Sequence, residues 1–104
     1  MDCQKHEDEI KKQLTMNSAY RRQTLERIYY SHRHDTCVDI IYSIYPGNIK
    51  EGIDGKQTIE INDMLNKRNL WRREYPAAGG GSWTHEEVIA DAYQKIREQG
   101  WGDN

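Results

Sequence analysis

Cysteine and histidine are the side chains best equipped for chemistry in this chain, and four of them fall at suggestive spacings. Cys3 and His6 stand as C-x2-H, while His34 and Cys37 stand as H-x2-C inside the stretch SHRHDTC, residues 31 to 37. Thiolate and imidazole are the ligands that tetrahedral zinc takes, so the four residues form two mirrored half-sites. They converge only if the N-terminal segment doubles back. As one straight helix rising about 1.5 Å per residue, it would hold the half-sites on the order of 40 Å apart. The spacing matches no zinc module, and the adopted reading is a chain without a cofactor. Cys3, His6, His34 and Cys37 are the zinc set against which that reading stands. On it, Cys37 is a small buried group, His32 lies at the core edge and His34 is solvated. Two cysteines are too few for a disulfide scaffold, and a reducing compartment keeps them as thiols.

Catalysis finds less support. A His-Asp neighbour pair such as His34-Asp35 is frequent by chance, and proton transfer recruits further carboxylates and a nucleophile into a concave pocket. No such set stands out. Glu7, Asp8 and Glu9 read as a solvated run in the positive first turn of a helix. The three glycines at 79 to 81 lack the Lys-Ser/Thr that completes a phosphate-binding loop. The expectation is a protein that is not an enzyme and has no small-molecule substrate.

The most uneven charge lies in NKRNLWRREYP, residues 66 to 76, where Lys67, Arg68, Arg72 and Arg73 face only Glu74, a local +3 in a chain of −2. Arginine forks beside Trp71 and Tyr75 can grip carboxylate or phosphate and stack on flat surfaces. Lys67, Arg68, Trp71, Arg72, Arg73, Tyr75 and Trp83 are therefore the candidate partner-binding residues. The competing reading is a solvated loop with Trp71 turned inward and its arginines paired to nearby acids. Seven tyrosines, three tryptophans and no phenylalanine add a bias toward half-buried, amphipathic rings suited to recognition.

One pattern bears on the partner. Ile61, Leu65 and Asn66, followed by Gly81, Trp83, Thr84 and Val88, resemble the DNA-binding segment of large serine recombinases. There an Ile-x-x-x-Leu-Asn helix precedes a Gly-x-Trp-Ser/Thr turn and a second helix. No recombinase catalytic domain accompanies the segment and the flanking strands depart from it, so the chain is not assigned to that family.

The elements that must position these residues follow from periodicity. Residues 5 to 33 read as helical: Ile10 and Leu14 are four apart, and Leu25, Ile28, Tyr29 and His32 recur at i, i+3, i+4 and i+7, with a break near Thr15 to Ser18. Residues 36 to 45, TCVDIIYSIY, alternate Val38, Ile40, Tyr42 and Ile44 and are β-branched, which predicts a strand; a helix there would make the chain an all-α bundle. Asp54-Gly55 marks a hairpin turn, and Ile59 and Ile61 face the core. Residues 62 to 69 suggest a short helix, and 76 to 82 a flexible Gly-rich loop. The last helix is best specified: Thr84 and Glu87 form a capping box, Val88, Ala92 and Ile96 a buried stripe, and Gly100 stops it.

These elements predict one α+β domain over 1 to 104, with a small antiparallel sheet (about 36 to 61) packed against an N-terminal helical segment and a C-terminal helix. No apolar run reaches the roughly 20 residues of a membrane span, and the N-terminus lacks the apolar stretch of a secretion signal, so a cytoplasmic setting without membrane contact is expected. The expected function is a small interaction protein, of the inhibitor, adaptor or accessory-factor type found in viruses and mobile elements, that binds a protein partner. The alternative is a nucleic-acid-binding regulator that uses residues 67 to 73.

Overall fold

The computed structural model describes residues 3–16, 22–52, 55–76 and 83–102. Its centre is β2 (Thr36–Tyr45), buried along eight of its ten positions. A strand covered on both faces reads as a near-continuous apolar run, which is how VDIIYSI reads. β1 (Arg22–Ser31), β3 (Lys56–Asp63) and β4 (Arg68–Pro76) complete a four-stranded antiparallel sheet in the order β1-β2-β3-β4, flanked in sequence by α1 (Gln4–Thr15) and α2 (His85–Gln99). The α+β class and the two covering helices are as expected; the sheet runs from 22 to 76, wider than 36 to 61.

One face of the sheet makes the core. Val38, Ile40, Tyr42, Ile59, Ile61 and Tyr75 pack against Val88, Ile89, Ala92 and Ile96 of α2. α2 begins at the expected capping box, with Thr84 Oγ1 accepting from the Glu87 N–H at 3.2 Å. It ends at Gly100, whose φ of 66° is the left-handed conformation that glycine adopts without strain. The opposite face meets α1, none of whose residues is buried.

Residues 22 to 31 correct the sequence reading, because they form a strand where a helix was expected. The pairing shows why. A bulge between Leu25 and Arg27 adds one residue, so Leu25 opposite Ile41 and Ile28 opposite Asp39 share the α1-side face although they are three apart. Tyr29, opposite Val38, faces the core. A two-sided strand with a bulge thus imitates helical spacing, and the break at Thr15 is the end of α1. His32, expected at the core edge, is exposed in the β1–β2 turn.

Residues 62 to 69 also differ from expectation. Met64 to Lys67 are a turn joining β3 to β4, held by Asp63, which accepts from the Asn66 backbone at 3.2 Å and the Asn66 side chain at 2.8 Å. An Asp side chain that satisfies a turn in this way competes with helix formation. Ile61 lies in β3 and Leu65-Asn66 in this turn, so the first helix of the recombinase-like pattern is not formed; Gly81 is outside the described residues. Ile49–Glu51 is a short 3-10 turn between β2 and β3. Asp54 lies outside the described residues, as do 77 to 82 of the expected glycine-rich loop, while Pro76 belongs to β4.

The cysteines are not thiols. Cys3 and Cys37 form a disulfide that ties the start of α1 to β2.

Candidate binding groove

Three cross-strand rows build the face of the sheet turned toward α1. They run Ile28–Asp39–Asn62–Asn69, Leu25–Ile41–Glu60–Arg72 and Gln23–Ser43–Thr58–Glu74. Two of the three rows begin with an apolar residue on β1, and all three end polar on β4. α1 lies over the apolar side, Ser43 and Thr58 of the third row are buried as well, and a groove of about 750 Å³ remains between Ile10 and Leu14 of α1, the floor of β2 and β3, and the β3–β4 turn. Concave sites of mixed polarity with a few placed polar groups are where ligands and partners bind.

Asp39 is the unusual member of the floor. It is only 5% exposed and sits beside the buried Ile41. A relay of amides orients it: Asn69 Nδ2 donates to Asn62 Oδ1 at 3.0 Å, and Asn62 Nδ2 donates to Asp39 Oδ1 at 2.9 Å. The second carboxylate oxygen accepts from no side chain among the described residues. Burial, opposed by the Asn62 bond and reinforced by the Glu60 charge, pushes its pKa up to about 6. At the end of the groove Asp63 differs: burial opposes its charge, but bonds from Asn66 and Thr36 and the nearby Arg68 hold its carboxyl below the usual value.

The sequence-derived binding residues are divided among three places. Lys67 and Arg68 line the end of the groove, with Arg68 Nε 3.5 Å from Asp63 Oδ2. Arg72 lies on the open face in a ladder with Glu60 at 3.4 Å and Glu74 at 2.7 Å, and Glu74 also holds Lys56 at 2.9 Å. The remaining four are on the core side. Trp71 is half-buried against the core, and Tyr75, only 1% exposed, donates to Asp91 Oδ2 at 2.6 Å. Arg73 binds the same oxygen at 2.8 Å and stacks 4.9 Å from the Tyr75 ring centre, with the exposed Trp83 beyond it. Strand alternation is the cause: Arg72 and Arg73 are adjacent in sequence and point to opposite faces.

The zinc set does not converge as thiolates and imidazoles. Cys3 and Cys37 are bonded to each other, so neither offers a thiolate; His6 lines the groove and His34 is exposed in the β1–β2 turn. Among the described residues no group of three or more His, Cys, Asp or Glu is placed to hold a metal ion. No described helix is long and apolar enough to cross a membrane.

No known protein family, curated protein or solved structure matches this chain. The candidate site therefore rests on geometry alone. Sequence reasoning missed Asp39, Glu60 and Asn62. The signal was present: an aspartate inside VDII is a charge in a run that burial would otherwise fill with apolar residues.

Proposed function

We propose that the chain is a non-enzymatic binding protein that acts by occupancy on a protein partner, and that the groove beside α1 is its contact surface. The observation that carries this reading is a concave, half-polar groove whose floor holds a largely buried carboxylate oriented by Asn62. Apolar walls from Ile10, Leu14 and Met64 add the dry contact area that protein interfaces use. The rim at Arg73 and Trp83 is a weaker candidate, because Arg73 is engaged by Asp91 and the neighbouring ring of Tyr75 belongs to the core.

The same pairing bears on nucleic acid. Arg68, Arg72 and Arg73 each have a carboxylate within 4 Å, and Arg73 lies on the face opposite to Arg72, so the three offer phosphates no continuous basic stripe. On compartment, a reducing cytoplasm would keep Cys3 and Cys37 as thiols; the disulfide supports a more oxidising setting than the sequence suggested.

The test is capture of the partner from the native source with three oxidised baits: the unaltered chain, a groove variant carrying Glu9→Arg and Met64→Arg, and a rim variant carrying Trp83→Ala. We expect the groove variant alone to lose a protein that the other two retain. Loss with the rim variant alone moves the site to β4 and α2. Retention of nucleic acid that falls steeply with salt replaces the protein partner with a polyanion.

A further inference from the structure

We propose that Asp39, supported by Glu60, is a receptor for one cationic side chain, a lysine ammonium or arginine guanidinium, presented by the partner. The inference rests on the reading of the groove as a contact surface and names what that surface recognises.

Asn62 donates to one oxygen of this 5% exposed carboxylate, and no other side chain among the described residues bonds it, which leaves the second oxygen to the groove that Asp39 lines. The Asn69–Asn62 relay fixes the direction of the carboxylate before anything arrives, so a ligand would not have to order it. Glu60, diagonal to Asp39 across β2 and β3, adds a second negative charge that only Arg72 among the described residues neutralises, at 3.4 Å and while itself more closely bound to Glu74 at 2.7 Å. Asp39 and Glu60 make the floor of the groove negative while Lys67 and Arg68 stand at its end, and a negative floor favours a cation.

The surroundings select what carries the cation. Ile41 beside Asp39 and Ile10 and Leu14 on α1 supply apolar surface for an aliphatic stem, as the long stems of lysine and arginine require. The groove volume of about 750 Å³ exceeds what a single side chain fills, which leaves room for the backbone that presents it. A small metal ion is a poorer fit, because the described residues place no third ligand around Asp39 and Glu60. Asp39 would then be the specificity determinant: a partner with an apolar residue at that position leaves the carboxylate desolvated and unpaired.

The experiment is a two-dimensional amide NMR titration of the oxidised chain with three short alanine-based peptides, identical except for a central lysine, arginine or norleucine. The lysine or arginine peptide is expected to produce saturable shifts at residues 39 to 41 and 60 to 62, with the norleucine peptide weaker by about tenfold or more. Asp39→Asn should remove most of that preference, and Glu60→Gln, at a less buried position, should reduce it to a smaller extent. Equal binding of the norleucine peptide, shifts confined to α2 and the Trp83 rim, or no saturable shift at any peptide concentration each overturns the inference. If the captured partner still depends on Glu9 and Met64 in that event, the contact surface stands and only the cation receptor falls.

Discussion

Cys37 occupies the second position of β2, and its disulfide to Cys3 fixes the start of α1 against the middle of the sheet across 34 positions of chain. α1 needs that bond, because none of its twelve residues is buried and its side of the groove rests on half-buried Ile10 and Leu14. Closing a loop of this length removes unfolded-state entropy worth about 3–4 kcal/mol. Urea unfolding with and without reductant should differ by about that amount. Hydrogen exchange in the reduced chain should show α1 losing protection before β2 and β3; equal stability in both states would contradict the role of the bond.

Stability should depend on pH in two opposite ways. Asp39 has a folded value of about 6 against an ordinary 3.8, so between these values the folded chain holds a proton that the unfolded chain has released. Its contribution is therefore lost as pH rises from about 4 to 6, by about 2–3 kcal/mol at most, and is flat above. Asp63 is shifted the other way, and its contribution, present above the unfolded value, is lost as pH falls through the lowered folded one. Urea midpoints from pH 3 to 8 should show both limbs, and Asp39→Asn should remove the upper one and raise stability at neutral pH. An upper limb unchanged in that variant would assign it to another group.

Thr58 is fully buried and its hydroxyl has no hydrogen-bond partner among the described residues. Thr58→Val keeps the shape and removes the unpaired group, so it should stabilise the chain by about 1 kcal/mol, measured by thermal or urea unfolding. Destabilisation would mean that the hydroxyl is satisfied. The Ser31 hydroxyl is in the same condition, and nothing in its surroundings explains it.

Tyr75 and Trp83 were grouped by sequence as one recognition surface, and their ring centres are 5.2 Å apart. Their stability costs should nevertheless separate. Tyr75→Phe removes a partly buried bond to Asp91 and should cost about 1–2 kcal/mol. Trp83→Ala alters an exposed ring and should cost about 0.5–1 kcal/mol, part of it from lost ring stacking. A larger loss for Trp83 would make it a core residue.

What the sequence disclosed depended on how local each signal was. α2 carries its own cap, stripe and stop within residues 84 to 100, and β2 carries alternation with β-branching, so both were legible. β1 was not, because its bulge placed Leu25 and Ile28 on one face at a helical interval. The charged stretch of β4 was located correctly as residues and misread as a surface, since alternation sends Arg72 and Arg73 to opposite sides. The groove was the least legible feature. Asp39, Asn62 and Asn69 come from three strands, and α1 reaches them through a bond between residues 3 and 37; pairing across that distance leaves no pattern in a local window.

The central claim is that the groove beside α1 is where this protein meets its partner. Hydrogen exchange on the oxidised chain, free and bound to the captured partner, tests it most directly. Slowed exchange at residues 9 to 14, 39 to 41 and 64 to 69, with α2 unchanged, is the expected result. Slowing confined to α2 and the end of β4, with the groove residues exchanging as in the free chain, would contradict it.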